Sequence, residues 1–139
     1  MKWDRIVSLG MAGLGTMANY LWGGVDVALK TLLLFMLFDY LTGLICATKD
    51  NYLSSAIGFS GILKKVMILI IVAVAFNLDN IINTDGLVRS LVIFFYVSME
   101  GISILENAAR MNVGVPDTLR DKPLQLKGKV KEFKEDNHD

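Results

Sequence analysis

The 139-residue sequence has little of what most chemistry needs. Cys46 is its only cysteine, so neither an internal disulfide nor a cysteine-based metal cluster can form within one chain. The single histidine, His138, is the penultimate residue, and without His or Cys partners no nucleophilic triad and no zinc site can be assembled. Gly13-x-Gly15 lacks the third glycine and the preceding strand of a phosphate-binding loop. Asp39 and Glu100 are isolated carboxylates, not an evident acid/base pair. No enzymatic activity and no cofactor are therefore expected. The formal net charge is zero, which gives no support to nucleic-acid binding.

Charge is also missing from the middle of the chain. Between Ile6 and Ala109 the charged residues are Asp26, Lys30, Asp39, Lys49, Asp50, Lys64, Lys65, Asp79, Asp85, Arg89, Glu100 and Glu106. The others crowd into the two ends. A soluble fold would spread charge along every element. What fills the middle is apolar: 53% of the chain is hydrophobic and its mean hydropathy is +0.48.

A spanning helix needs about 20 mostly apolar residues to cross about 30 Å of hydrocarbon. Three segments qualify, at about 25–47, 62–82 and 87–108. Their densest runs are Thr31 to Phe38, Val66 to Phe76 and Leu91 to Val97. Backbone exposed to lipid must satisfy its own hydrogen bonds, so three isolated segments can do this only as helices. The expected fold is an all-α membrane protein. The stretch from Lys49 to Gly61 carries turn and cap residues. Asn83-Thr84-Asp85-Gly86 is a tight turn, which makes the second and third spans an antiparallel hairpin.

Residues 1–24 read as an amphipathic, interfacial helix, with Trp3, Val7, Leu14, Met17 and Leu21 at helical spacing. The uncharged run from Ile6 to Val25 is also long enough to be a fourth span. It is glycine-rich and has no compact apolar core of the kind a cleavable signal peptide shows. Residues 25–110 form the membrane domain and 111–139 a charged tail, in which Leu126, Val130 and Phe133 mark a short amphipathic face. Short-loop lysine and arginine place the first connection (Lys49, Lys64, Lys65) and the tail in the cytoplasm.

Each span carries a polar stripe at spacings of three and four. The first holds Asp39, Thr42, Gly43 and Cys46. The second holds Ala73, Asn77 and Asn80. The third holds Tyr96, Glu100, Ser103 and Asn107. A carboxylate facing lipid at the bilayer centre costs about 2.5–3.5 kcal/mol on insertion scales. Three helices offer little room to hide several such faces, so the stripes are expected to meet across copies of a homo-oligomer or to face water. Small residues beside them permit close approach. Asp39 either sits protonated in a helix interface or lines an aqueous lumen. Glu100 either lies near the outer third of its span or lines a pore. Trp22, with Tyr20, reads as an interfacial aromatic, and Lys64 and Lys65 as snorkelling membrane anchors.

These residues also carry a family resemblance. The run Phe38-Asp39-Tyr40-Leu41-Thr42-Gly43 is followed by Leu53-Ser54-Ser55, Gly58-Phe59, Gly61-Ile62, Lys64-Lys65, Val72 to Ala75 and Leu78-Asp79. Further on come Ser98 to Asn107 and Gly114-Val115-Pro116. In this order the set, from about Gly23 to Leu119, resembles the toxin-secretion/phage-lysis holin family. The resemblance implies a non-enzymatic protein of the bacterial cytoplasmic membrane. Its partners would be the lipid bilayer and copies of itself. It would form lesions that release an endolysin or a large toxin as cargo without specific binding. A small ion-channel or transporter subunit using Asp39 or Glu100 is the alternative.

Overall fold

The computed structural model describes residues 1–114 and 116. The expected charged tail, including Leu126, Val130, Phe133 and its lysines, otherwise lies outside the described residues. Four helices follow one another: α1 (Lys2–Trp22), α2 (Val27–Lys49), α3 (Ser55–Ile82) and α4 (Leu87–Arg110). Among the described residues there is no strand. Helices α2, α3 and α4 are long and apolar enough to cross a membrane, and α1 is not among them. The protein is a multi-pass, all-α membrane protein.

The helix ends follow from capping chemistry. Asp26 opens α2 by accepting the Leu29 amide at 2.9 Å. Ser54 opens α3 by accepting the Ile57 amide at 3.3 Å. This cap starts the second span at Ser55, seven residues before the apolar run that marks it in the sequence. Gly58 and Gly61, which read as turn residues, lie inside the helix. Their missing side chains make room for Tyr40 of α2, whose ring would be 3.3 Å from a Cβ at position 61. At about 1.5 Å per residue, the 28 residues of α3 outrun a ~30 Å hydrocarbon core. Asn83 ends α3 in the left-handed region (φ 54°), and Gly86 (φ 82°) starts α4. The expected hairpin is therefore formed.

Helix α1 ends in a left-handed Gly23 (φ 74°), whose amide donates to Asn19 O at 3.0 Å. A Cβ here would come within 2.5 Å of the Phe76 ring, so glycine is required for both reasons. Only the C-terminal end of α1, at Leu21 and Trp22, packs against α3. The rest of α1 has no buried residue, and Gly10, Gly13 and Gly15 face open space.

Helix α4 lies between the other two spans, packing against both, while α2 and α3 touch little. The apolar core is Leu29, Leu32 and Met36 from α2, Val72 from α3 and Ile93 from α4. The outer faces are equally apolar: Leu37, Leu41, Met67, Ile70, Phe94 and Phe95 are all exposed. In water this surface would be untenable, whereas lipid tails solvate it.

Candidate functional site

The polar stripes of α2 and α4 face each other, and α3 supplies a cation between them. Lys65 donates from Nζ to Asp39 Oδ2 at 2.5 Å and also to Glu100 Oε2. All three side chains are largely enclosed, with Glu100 the deepest at 8% exposed. Asn107 extends the cluster along α4. Its Nδ2 donates to Thr42 Oγ1 at 3.0 Å and reaches Asp39 Oδ1 at 3.4 Å. Cys46 Sγ in turn donates to the Asn107 carbonyl at 3.3 Å. Every fully buried side-chain nitrogen or oxygen among the described residues has a partner.

A crevice of about 230 Å³ leads away from this cluster between α2, α3 and α4. It is lined by Asp39, Tyr40 and Gly43 of α2, Lys65 and Ile57 of α3, and Ser103 of α4, among others. Its walls use the C-terminal halves of α2 and α4 and the N-terminal half of α3. It therefore points to the bundle end that carries the loop Asp50–Ser54. At that end Arg110 pairs with Asp50 at 2.6 Å, and Lys49 donates to the Arg110 carbonyl at 2.9 Å.

The opposite end is tied by a second charged cluster. Asp79 is buried and accepts the backbone amides of Val88 (2.9 Å) and Arg89 (2.7 Å), along with the Thr84 hydroxyl. It thereby caps α4, whose own N-cap is a glycine. The Arg89 guanidinium grips Asp26 through both terminal nitrogens, at 2.8 and 3.1 Å. It also donates from Nε to the Trp22 carbonyl at 2.6 Å. At the mouth of α2, Arg89 holds the Asp26 carboxyl below the usual carboxylate range, against the opposing effect of burial.

The residues singled out in the sequence fall into separate places. Asp39, Thr42, Gly43, Glu100, Ser103 and Asn107 come together around the triad and its crevice. Ala73, Asn77 and Asn80 do not. Asn77 and Asn80 are exposed, and Asn77 donates only to the Ala73 carbonyl of its own helix, at 2.8 Å. With Met17, Leu21 and Trp22, Ala73 and Asn77 line an apolar groove between α1 and α3 of about 640 Å³. Tyr96 packs against the core and edge-on to Phe95. Trp22 donates its indole N–H to the Leu69 carbonyl at 2.8 Å. Lys64 is exposed at the crevice wall, whereas Lys65 turns inward to the two carboxylates. Sequence reasoning missed Lys65 as their partner. It also missed the Asp26–Arg89 pair, although ionised groups so rare near spans call for partners. Among the described residues, no three His, Cys, Asp or Glu side chains gather as a metal site would need.

Residues 16–128 match the model of the bacteriophage holin family. The chain is 42% identical to the uncharacterized protein Lin0175 of Listeria innocua over 136 residues, 98% of this chain and 96% of that protein. It is also 42% identical to the uncharacterized protein CPE0383 of Clostridium perfringens, over 88% of this chain and 92% of that one. A protein of Bacillus phage phi105 named as a probable holin is 33% identical over 74% of this chain and 76% of its own length. No solved structure matches.

Proposed function

The chain belongs to the bacteriophage holin family, and on that premise we propose that it assembles with copies of itself in the bacterial cytoplasmic membrane. The assemblies breach that membrane without catalysis and release an endolysin or a large toxin. The observation that carries this reading is the pairing of three apolar spans with a polar stripe left outside the bundle. Asn77 and Asn80 on α3 face outward beside the α1–α3 groove, while the stripes of α2 and α4 are already engaged within one copy. An amide exposed to lipid gains by meeting another amide on a neighbouring copy. Ala73 beside them allows the helices to come close.

In this reading α1 lies at the interface, because its N-terminal part packs on nothing and it is not apolar enough to span. The loop Asp50–Ser54 and the C-terminus face the cytoplasm, following the lysine and arginine count of the short connections. Asp39, Glu100 and Asn107 would reach a pore only if the three-span bundle opened. A second reading, a small homo-oligomeric ion channel or transporter subunit, is favoured by the crevice that reaches Asp39 and Lys65.

Induced expression in bacteria that also hold a cytoplasmic muralytic enzyme separates the two. A holin collapses the membrane potential abruptly and lets the enzyme out. A channel or transporter gives graded, ion-specific flux in viable cells. Cells that stayed polarised and viable at high membrane density of the chain would overturn the holin reading.

A further inference from the structure

We infer that Asp39, Lys65 and Glu100 form a binding site for one exchangeable proton, reached by water through the crevice on the Asp50–Ser54 side. Three helices each contribute one ionisable group, and the sum of two carboxylates and one ammonium is a net negative charge. Among the described residues no further cation is bonded to either carboxylate: the remaining donor to the pair is the neutral amide of Asn107. An unbalanced charge enclosed at membrane depth is expensive, and one proton shared by the carboxyl pair removes it. Two acids that meet at one ammonium share that proton as a pair, not as separate residues.

Each helix brings its own groups to the site. From α2 the groups facing the site are Asp39 and the Tyr40 hydroxyl, with the Cys46 thiol behind Asn107. From α3 they are Lys65 and, at the crevice wall, Lys64. From α4 it is Glu100. Helix α1 meets α3 at Leu69 and Phe76, and its charged residues, Lys2, Asp4 and Arg5, lie at its far end. The route for the proton is one-sided. Toward the Asp50–Ser54 end lies the crevice, with Ser103 and Asn107 on its wall. Toward the other end lies the packed layer of Leu32, Val72 and Ile93, each with no solvent exposure, and beyond it the Asp79–Arg89 cluster. Uptake breaks one O–H bond of a hydronium ion in the crevice, leaves water, and forms one O–H bond on the carboxyl pair. Release returns the proton the same way, while Lys65 keeps its own protons throughout.

This site does not rest on lysis; it stands whether or not assembled copies breach a membrane. Infrared spectroscopy of the full chain in lipid nanodiscs at neutral pH tests it. The expected spectrum has one protonated-carboxyl stretch that disappears in Glu100→Gln and in Asp39→Asn. The stretch doubles in Lys65→Met, where both acids must be neutralised. Should Lys65→Met fail to fold, the two amide variants decide alone. Transfer to D₂O is expected to shift the stretch promptly in the unaltered chain and several-fold more slowly in Ile57→Trp, which crowds the crevice wall. Absence of the stretch in the unaltered chain, or its persistence in both amide variants, overturns the site. Equal exchange in Ile57→Trp overturns the route.

Discussion

Replacing Lys65 by methionine removes the one cation between Asp39 and Glu100 and keeps most of the side-chain volume. The magnitude follows from the partners. Asp39 retains the Asn107 amide near its other oxygen, whereas Glu100 loses its Lys65 bond, with no other side-chain donor to it among the described residues. Breaking a buried ion pair from one side costs about 3–5 kcal/mol. A separate route gives the same size. If the second carboxyl must also be neutral in the fold while an ordinary carboxyl of the unfolded chain ionises near pH 4, the difference at pH 7 costs about 4 kcal/mol, since each pH unit is worth about 1.4. That is roughly a thousandfold in the folding equilibrium.

The assay is reversible unfolding of the chain in mixed micelles, followed by Trp22 fluorescence. The variant is expected to lose about 3–5 kcal/mol at pH 7. It should regain about 1.4 kcal/mol per unit as pH falls toward 5, because its folded state then binds more protons than its unfolded state. The triple variant Lys65→Met, Asp39→Asn, Glu100→Gln removes all three charges and is expected to recover most of the loss. A single variant within about 0.5 kcal/mol of the unaltered chain, or a triple variant no better than the single one, would refute a charged triad.

Four further outcomes are expected. Asp79→Ala leaves two amides in the first turn of α4 without their acceptor and should cost about 1–3 kcal/mol in the same unfolding assay, with Asp79→Asn in between. Gly23→Ala meets both the Phe76 ring and an unfavourable φ, so α1 should detach and become more sensitive to protease; Phe76→Leu in the same chain should restore part of the protection. Paired Asn77→Leu and Asn80→Leu should leave membrane insertion intact while shortening cross-linking ladders and delaying lysis, and unchanged ladders would exclude that face as a contact. The Asp26 carboxyl is held low by Arg89, so its contribution is complete above the ordinary carboxylate range and is lost as pH falls through the lowered value; Asp26→Asn should flatten that acid limb of the stability profile.

The three spans were legible because each is a mostly apolar stretch of membrane length with a dense apolar run at its heart, and the turn at Asn83–Gly86 because its residues suit left-handed backbone. The start of α3 was not. Gly58 and Gly61 look like turn residues until Tyr40, on another helix, is known to need their space. The stripes at Asp39 and Glu100 were legible from spacings of three and four, but not their meeting within one chain, because their partner Lys65 lies 26 and 35 positions away. One signal was present. Lys64 and Lys65 are neighbours, and adjacent helix positions point about 100° apart, so one of the two can turn to the bundle while the other stays outside. For α1, the uncharged length suited a span while glycine content and helical spacing suited an interfacial helix. The structure shows a helix that packs only at its C-terminal end.

Because α4 separates α2 from α3, the chain's order of synthesis differs from its order of contact. Helix α2 is made first of the three and finds its main neighbour last. At about 5–20 residues per second, Lys65 follows Asp39 by about 1–5 s and Glu100 follows it by about 3–12 s. During that interval Asp39 rides on an apolar helix with no cation beside it. The missing charge comes with α3, at Lys65, and α4 follows, joined to α3 through Asp79. Completion of the triad thus waits on the final helix, which sets a delay on every newly made chain before its buried charges are all in place.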